Sequence, residues 1–244
     1  MKAEGNKPMI DYSAMVKKAE RFGVHLQNEQ LKMLDKYSDL LVDWNTRINL
    51  TAITDPEGIM TRHFEDCIAI LKFVEIPEEA SIIDVGTGAG FPGMVLKIVR
   101  PDLKLTLLDS LNKRINFLSA VSEQVGLSVN TVHLRAEEGG KMPEYREKYD
   151  FSIARAVSNL RELAEYCLPY VKISGKFVSM KGPDVLDEID AAKPGIGTLG
   201  GKIESINDYH ISDGSGRTVI VVNKMKSTPA QFPRPSAKIK KKPL

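Results

Sequence analysis

The stretch Asp84-Val85-Gly86-Thr87-Gly88-Ala89-Gly90 decides how this 244-residue chain is expected to fold. It follows the apolar run Ser81-Ile82-Ile83 and precedes residues 91–99, whose apolar side chains recur at helical spacing. A buried strand that breaks into a glycine turn and continues as a helix lets the backbone approach a nucleoside closely. The stretch therefore predicts the ligand-binding edge of an α/β sheet.

The spacing of the glycines favours S-adenosylmethionine over a dinucleotide. The dinucleotide pattern Gly-x-Gly-x-x-Gly requires glycine at position 91, where Phe91 stands, and this argues against a nicotinamide dehydrogenase. The carboxylate of Asp84 would repel a pyrophosphate, whereas S-adenosylmethionine carries a sulfonium and an ammonium group. We therefore expect Asp84 and the turn with Gly86 and Gly88 to hold the methionine end of S-adenosylmethionine.

Two further strand ends extend this prediction. The run Lys104–Asp109 reads as a buried strand, and Asp109 lies roughly twenty residues beyond the turn, where an acid accepts hydrogen bonds from ribose hydroxyls. The run Val129–Leu134 is followed by Ala136 and Glu137. Residues just past strand ends line the ligand crevice of a doubly wound sheet, so Ala136 and Glu137 are expected beside the adenine.

Composition sets broad limits on the class of protein. The chain is 42% hydrophobic and 27% charged, which is ordinary for a globular protein. It contains no apolar run long enough to cross a membrane, and its start reads as no signal peptide, so we expect a cytoplasmic protein. The two cysteines, Cys67 and Cys167, are too few for a disulfide framework, and neither has the spacing of a metal ligand. We expect both to be buried thiols, and we expect no metal site.

The net charge of +2 conceals an asymmetry. The last residues carry seven basic side chains and no acid, which leaves the remainder of the chain with more acids than bases. These seven are Lys224, Lys226, Arg234, Lys238, Lys240, Lys241 and Lys242. Such a tail is often only a solubilising disordered end. Beside a nucleoside site, a phosphate-binding arm is the favoured interpretation, and Arg234, Lys240 and Lys241 are the candidate RNA contacts.

The order of predicted elements defines the fold class. Residues 1–8 are expected to be disordered, and helices are predicted over 12–22, from Asn28 onward, and over 57–73. Strands are predicted over 81–86, 104–109, 129–134, 149–154, 173–180, 202–208 and 217–224, with helices over 91–99, 112–125, 159–170 and 184–193. This pattern predicts an α/β, Rossmann-like class I methyltransferase fold, with a seven-stranded, mostly parallel doubly wound sheet, a late antiparallel hairpin and an N-terminal helical extension. The expected divisions are 1–58, 59–225 and a flexible tail at 226–244.

The segment after the fourth strand narrows the chemistry. Residues 154–159 contain no Asp/Asn-Pro-Pro-aromatic motif for an exocyclic amine, and no Pro-Cys pair is present for carbon 5 of a pyrimidine. A target atom with a free lone pair remains, and guanine N7 is such an atom. Its methylation requires no general base, so catalysis reduces to positioning and electrostatics.

Six stretches resemble one bacterial family. They are Trp44-Asn45-Thr46-Arg47-Ile48-Asn49-Leu50-Thr51, Arg62-His63-Phe64-Glu65-Asp66, Asp84–Gly93, Leu107–Leu111 with Lys113-Arg114, Ser152–Ala156 and Met180-Lys181-Gly182. The chain is similar, from about Tyr12 onward, to the guanine-N7 methyltransferases of small-subunit (16S) ribosomal RNA, also called glucose-inhibited division protein B. Cys67 and Ala89 are minor departures.

The resemblance implies roles for individual residues. Gly86, Phe91, Ala136 and Glu137 would contact the cofactor directly. Arg155 would lie at the cofactor or at its boundary with the target base; the alternative is a surface arginine that closes a strand.

The resemblance also implies a guanosine in 16S ribosomal RNA, within the partly assembled small subunit, as the target. Arg62, His63 and Asp66 share one helical face and would lie beside the target nucleotide. The alternative is that Asp66 pairs with Arg62 while His63 is merely packed. Lys181 would reach an RNA phosphate, and Arg217 is a weaker candidate for such a contact. Arg155, Lys181, Arg62 and Asp66 are the candidate catalytic residues.

Two rival functions remain open from the sequence. One is a methyltransferase of the same fold that acts on a small molecule or a protein, and the other is a non-catalytic nucleotide-binding protein. Binding to RNA that weakens steeply with salt favours RNA as the substrate. Failure to bind S-adenosylmethionine would favour the non-catalytic protein. A monomer is the expected oligomeric state.

Overall fold

The computed structural model describes residues 9–155 and 158–244. The expected disorder of residues 1–8 lies outside the described residues. The strands are β1 (Ser81–Val85), β2 (Lys104–Asp109), β3 (Asn130–His133), β4 (Tyr149–Arg155), β5 (Val171–Lys181), β6 (Gly201–His210) and β7 (Gly216–Lys224). The helices are α1 (Tyr12–Glu20), α2 (Asn28–Asn45), α3 (Pro56–Gly58), α4 (Asp66–Ile68), α5 (Ile70–Phe73), α6 (Gly93–Val99), α7 (Asn112–Val125), α8 (Ala136–Gly139), α9 (Leu160–Cys167), α10 (Leu186–Thr198) and α11 (Ser236–Lys241).

The seven strands form one sheet in the order β3-β2-β1-β4-β5-β7-β6. The pairs among β1 to β5 are parallel, whereas β7 pairs antiparallel with both β5 and β6. The chain reverses direction across the sheet between β1 and β4, which is where an open α/β sheet binds its ligand. The predicted fold class is confirmed, including the late hairpin.

Alternate side chains of the strands enter two separate cores. Ile82 and Leu107 join the core that α1, α2, α6 and α7 cover, whereas Ile83 and Leu108 join the core that α9, α10 and α11 cover. Successive side chains of a strand point to opposite faces of the sheet, and here both faces are covered. The strands therefore appear in the sequence as continuous apolar runs.

The N-terminal helices belong to the first core. Tyr37 of α2 packs against Phe91 and Phe117, with ring centroids 5.4 and 6.3 Å apart. Its hydroxyl donates to the carbonyl of Ala89 within the glycine turn. The N-terminal extension therefore supports the ligand-binding edge of the sheet directly.

The third predicted helix is interrupted by a different hydrogen-bonding pattern. Between α3 and α4, residues Ile59–Glu65 form a π-helical stretch, with six of its seven residues buried. π-Helical turns occur frequently at functional sites, and this one carries Arg62 and His63.

The C-terminal segment, residues 226–244, differs from the flexible tail that its composition predicts. Ile239 of α11 is fully buried and belongs to the second core together with Phe232. The Arg234 guanidinium makes a bidentate ion pair with the buried Glu165, at 2.9 Å from Nε and 2.6 Å from Nη2. The prediction that this segment is flexible was wrong. Burial of Ile239 and Phe232 and the ion pair with Glu165 hold the segment in place despite its basic, proline-containing composition.

Within the described ranges, no helix combines the length and the apolar character needed to cross a membrane. Both cysteines are buried and unpaired by disulfides. The same ranges contain no cluster of three or more His, Cys, Asp or Glu side chains suited to a metal ion.

Candidate functional site

The glycine turn after β1 uses left-handed backbone at Gly86, Gly88 and Gly90, whose φ angles are +71°, +61° and +98°. A β-carbon on Gly90 would lie 2.6 Å from the Tyr37 hydroxyl, so packing excludes a side chain there. A β-carbon on Gly88 would meet nothing within 4 Å. Gly88 thus faces open space in front of the sheet, where a ligand can approach the backbone.

Asp84 lies beneath this turn and is fully buried. Its Oδ2 accepts hydrogen bonds from Thr87 Oγ1 at 2.7 Å and from the Gly93 amide at 2.8 Å. Its Oδ1 has no donor among the described residues. Burial raises the pKa of Asp84 to about 6, although the two hydrogen bonds oppose the shift. Asp84 therefore braces the turn, and an unpartnered buried acceptor is suited to a cationic ligand group or a water bound with it.

Asp109 ends β2 and faces a first cavity of about 230 Å³. Its Oδ2 accepts from the Gly88 amide at 2.9 Å and from Arg114 Nη1 at 3.2 Å, and its Oδ1 accepts from the Leu111 amide at 2.9 Å. Ala136 and Glu137, which follow β3, line this same cavity. The lining residues are Val85, Gly86, Leu108, Asp109, Ser110, Arg114, Leu134, Arg135, Ala136, Glu137, Ser158, Glu162, Leu163, Tyr166, Ser236 and Lys240.

A second cavity, of about 340 Å³, lies on the other side of the turn. It shares Gly86 and Arg114 with the first cavity. Its remaining walls come from the loop after α2, the π-helical stretch, the glycine turn with the residue after it, and the end of β4: Leu50, Thr51, His63, Thr87, Gly88, Ala89, Phe91 and Arg155. Together the two cavities form an elongated crevice along the carboxyl ends of β1 and β2.

Three stacked side chains line one wall of the second cavity. The His63 imidazole lies on the Phe91 ring with centroids 4.4 Å apart and planes 18° apart. The Arg155 guanidinium lies 4.9 Å from the Phe91 centroid. Phe91 is only 6% exposed and serves as the platform of this stack.

The hydrogen bonds of His63 determine its protonation. Arg155 Nη2 lies 3.1 Å from His63 Nδ1, and because a guanidinium can only donate, Nδ1 must accept. The proton of the neutral ring is then on Nε2, which donates to Thr51 Oγ1 at 2.9 Å. Burial, reinforced by the charge of Arg155, lowers the pKa of His63 to about 3. His63 is therefore neutral at physiological pH, with both ring nitrogens engaged.

Asp66 anchors the other side of Arg155. Its Oδ2 accepts from Arg155 Nη1 at 3.0 Å, and its Oδ1 accepts from the Tyr209 hydroxyl at 2.7 Å and faces Arg217 Nε at 3.4 Å. Arg155 also donates to the backbone carbonyl of Arg62 at 3.0 Å. The alternative pairing of Asp66 with Arg62 is wrong, because Arg62 pairs with Asp213 of the β6–β7 hairpin instead, at 2.8 Å.

A third cavity, of about 320 Å³, adjoins the second across His63 and Arg155. It is lined by the residues that the sequence assigns to the target nucleotide together with apolar neighbours: Ile53, Arg62, His63, Asp66, Arg155, Met180, Lys181, Gly182 and Arg217. The structure thus brings Arg62, His63, Asp66, Arg155, Lys181 and Arg217 around one space.

Two of the predicted phosphate contacts are occupied by partners within the protein. The Lys181 ammonium pairs with Glu188 at 2.6 Å and donates to the Ser158 carbonyl at 2.5 Å, so it braces the end of β5. The Arg234 pair with Glu165 likewise places Arg234 in the fold rather than on a free surface. Neither partner was foreseen, because Glu188 and Glu165 lie on helices whose apposition depends on tertiary packing.

Lys240 and Lys241, the other two candidate RNA contacts of the C-terminal segment, lie in different surroundings. Lys240 lines the first cavity, whereas Lys241 is exposed and contributes to none of the three cavities. The sequence treated both as equivalent members of a basic tail.

Thr51 and Arg114 are functional candidates to which the sequence alone gives no role. Thr51 Oγ1 accepts from His63 at 2.9 Å and from the Ile53 amide at 3.0 Å, and its own proton has no acceptor within residues 9–155 and 158–244. Arg114 stands between the first and second cavities. Both lie in stretches that carry the family resemblance, and this resemblance could have indicated a functional role for them.

The strand order is that of the class I methyltransferases, and solved structures support this class of fold. The YcgJ protein from Bacillus subtilis matches with a TM-score of 0.53 and 13% identity, over 68% of this chain and all of the other. A 16S rRNA (adenine(1408)-N(1))-methyltransferase from Catenulisporales acidiphilia matches with a TM-score of 0.52 and 12% identity, over 65% and 88% of the two chains. The chain is therefore a Rossmann-like class I methyltransferase in its fold.

Sequence comparison identifies the particular family. The family model "rRNA small subunit methyltransferase G" (GidB) matches residues 30–215. A ribosomal RNA small subunit methyltransferase G of Clostridium perfringens is 45% identical over 96% of this chain and 100% of its own, and one of Acetivibrio thermocellus is 48% identical over 94% and 95%. The chain belongs to the rRNA small subunit methyltransferase G family. The resemblance stated from sequence motifs is confirmed.

Proposed function

We propose that this protein transfers a methyl group from S-adenosylmethionine to N7 of a guanosine in 16S ribosomal RNA. The observation that carries the proposal is the row of three adjoining cavities along one sheet edge. The first two together have the elongated form that a nucleoside needs, and the third shares His63 and Arg155 with the second. A donor in the first two cavities and an acceptor in the third would therefore meet beside His63 and Arg155, with the methyl group and the target atom in contact.

The residues along the crevice fit S-adenosylmethionine. Asp109 and Glu137 would hold the ribose and the adenine edge, and the open face at Gly88 would admit the ligand to the backbone. The charge of Asp84, buried beneath the turn and outside the cavity walls, would attract the cationic methionine end from there. When bound, S-adenosylmethionine supplies an electrophilic methyl group on a positively charged sulfur.

The side chains around the third cavity act by positioning. Guanine N7 has a lone pair and loses no proton, so the transfer needs alignment and charge complementarity rather than a base. His63 is neutral and bonded through both ring nitrogens, and Asp66 is held by Arg155 and Tyr209. This environment suits a target atom that is already nucleophilic. The exposed side chain of Arg62 and the partly exposed Arg217 would face the nucleotide.

The experiment that tests the proposal maps the modified base. Purified protein is incubated with S-adenosylmethionine and small ribosomal subunits from a strain that lacks the homologous gene, and 16S RNA is then cleaved chemically at N7-methylguanosine. We expect cleavage at a single guanosine that depends on both protein and donor. Methylation at another atom, or of another class of molecule only, would overturn the proposal.

We further propose that the substrate is the partly assembled small subunit and that the protein acts in the cytoplasm as a monomer. A single compact chain of 244 residues offers little surface for reading RNA sequence, so an assembled shape would supply specificity. Parallel reactions with naked 16S RNA and with subunits test the substrate, and light scattering of the enzyme alone tests the oligomeric state. Faster methylation of naked RNA, or a stable dimer, would contradict them.

A further inference from the structure

We infer that the C-terminal segment forms a wall of the cofactor pocket and that Lys240 binds the adenosine half of the cofactor. This inference rests on the proposed function, because it assigns a ligand to the first cavity. The family model ends at residue 215, so residues 226–244 lie outside the part of the chain that it covers.

The segment is anchored on both sides of α11. Before the helix, Arg234 forms the bidentate pair with Glu165 of α9. After it, Arg161 of α9 donates to the carbonyls of Pro243 and Leu244 at 2.6 and 2.5 Å. Between these anchors, Ile239 is fully buried in the second core. The segment is thus held against α9 at three points.

These anchors bring α11 to the pocket. Ser236 and Lys240 both line the first cavity, together with Asp109, Ala136 and Glu137. Ser236 Oγ lies 3.0 Å from the Tyr166 hydroxyl, which lines the same cavity. Since Ile239 fixes the neighbouring backbone, Lys240 is held at the cavity mouth rather than free in a disordered tail.

The chemistry of Lys240 suits the adenosine half of the ligand. An ammonium group supplies hydrogen-bond donors and accepts nothing, whereas ring nitrogens of adenine and ribose oxygens are acceptors. The acids in the same walls, Asp109, Glu137 and Glu162, provide the complementary acceptors for the ribose hydroxyls and the adenine amino group. The first cavity therefore presents both kinds of group to a nucleoside.

The test compares two adjacent lysines. Calorimetry measures the affinity of the full-length protein for S-adenosylhomocysteine, with Lys240→Ala as the test and Lys241→Ala as the matched control. Lys241 is exposed and outside the cavities. We expect the Kd to rise about 5- to 10-fold for Lys240→Ala, the loss of one charged hydrogen bond, and to stay within about 2-fold for Lys241→Ala. Both positions are on the surface, so both variants should fold.

A second readout detects the wall itself. Trypsin cleaves after the lysines of α11, and saturating S-adenosylhomocysteine is expected to slow this cleavage in the wild-type protein and less so in Lys240→Ala. Equal affinities for the two variants, or cleavage that the ligand does not slow in the wild-type protein, would overturn the inference; if Lys240→Ala then bound 16S RNA as weakly as Lys241→Ala, Lys240 would be an RNA contact instead. A wild-type protein that binds no S-adenosylhomocysteine would instead refute the proposed function itself.

Discussion

Gly88 combines a left-handed backbone conformation with a position on the wall of the second cavity. Its left-handed φ of +61° strains any side chain, and its missing β-carbon faces the second cavity. We expect Gly88→Val to raise the Kd for S-adenosylhomocysteine at least about 100-fold, because a branched side chain occupies the ligand's space. Calorimetry measures this loss, and circular dichroism confirms that the variant folds.

Gly126 provides the matched control for that substitution. It has a φ of +69°, an equally open position for a β-carbon, and no place in the three cavities. Gly126→Val should lose about 1–3 kcal/mol of stability from the same backbone strain while it keeps wild-type affinity. If the two variants lost affinity equally, backbone strain alone would account for the effect and the position of the site would be wrong.

Asp84 couples the stability of the fold to pH. Burial raises its pKa from 3.8 to about 6, so between these values the folded state binds more protons than the unfolded state. The free energy of unfolding therefore falls as pH rises through this range, by about 3 kcal/mol for a shift of about two pH units, and stays reduced above it. The loss is the cost of a buried carboxylate.

The variant Asp84→Asn should remove this cost. Asparagine retains an oxygen for Thr87 and Gly93, and we expect it to be about 1–2 kcal/mol more stable than wild type at pH 8 and no more stable at pH 4. Urea denaturation at the two pH values measures the difference. If the carboxylate also receives the cationic end of the ligand, the Kd for S-adenosylmethionine rises about 10-fold. Unchanged affinity would restrict Asp84 to bracing the turn.

Arg155 depends on the planar shape of its guanidinium. It donates to Asp66, to the Arg62 carbonyl and to His63 while it stacks on Phe91, which a lysine cannot reproduce. We expect Arg155→Lys to lower kcat for methylation about 100-fold through misplacement of the reacting groups. The control is Arg47→Lys, an exposed arginine over Trp44. A kcat equal to wild type would remove Arg155 from the positioning residues.

The π-helical stretch and the β6–β7 hairpin are joined by ion pairs and hydrogen bonds. Glu65 is fully buried, accepts from the Ser212 amide at 3.1 Å and from Ser212 Oγ at 2.6 Å, and pairs with Arg21 of the loop after α1. Arg62, one turn earlier in the same stretch, forms an ion pair with Asp213 of this hairpin. The hairpin therefore positions the residues that face the third cavity.

We expect Glu65→Gln to destabilise the protein by about 2 kcal/mol, since the amide cannot replace all the charged hydrogen bonds. Amide exchange in residues 211–216 should accelerate, because the hairpin turn loses its anchor. Glu29→Gln, at an exposed position of α2, is the control and should change neither quantity. Unaltered exchange in Glu65→Gln would show that the hairpin holds its conformation without the π-helical stretch.

The sheet and its ligand edge were predictable because their signals are local. Continuous apolar runs and glycine turns identify parallel strands, and side chains at the ends of those strands must meet at one edge. Asp109, Ala136 and Glu137 follow from such strand ends and line one cavity, while their contacts with the cofactor stay a prediction. The π-helical stretch was not predictable, since Ile59–Glu65 has the same apolar spacing as an ordinary helix.

The partners of charged residues were the least predictable part of the site. Arg155 and Asp66 are 89 residues apart, and Arg234 and Glu165 are 69 apart. Composition gives the number of lysines and arginines but does not show which of them form ion pairs. The tertiary structure determines which basic side chains lie beside a buried acid. The C-terminal segment shows this, because the same stretch that reads as a disordered tail carries Ile239 into the core.

The seven basic residues at the end of the chain fall into three groups in the structure. Lys224 and Arg234 pair with Glu147 and Glu165 within the fold, and Lys240 lines the first cavity. Lys226, Lys238, Lys241 and Lys242 are exposed and line none of the three cavities, so they are available to phosphates. The contribution of this end to RNA binding should come from these four side chains, and three of them lie in or directly after α11.

We therefore expect the triple variant Lys238→Glu, Lys241→Glu and Lys242→Glu to bind 16S RNA more weakly. The slope of log K against log salt should become shallower by about 0.7–0.9 for each RNA phosphate that is no longer neutralised, or by about 2 to 3 in all. Affinity for S-adenosylhomocysteine should stay at the wild-type value, because Lys240 and the anchors of the segment are intact. An unchanged salt slope would mean that the RNA lies on another face, and the excess of positive charge at the end of the chain would then have no part in substrate binding.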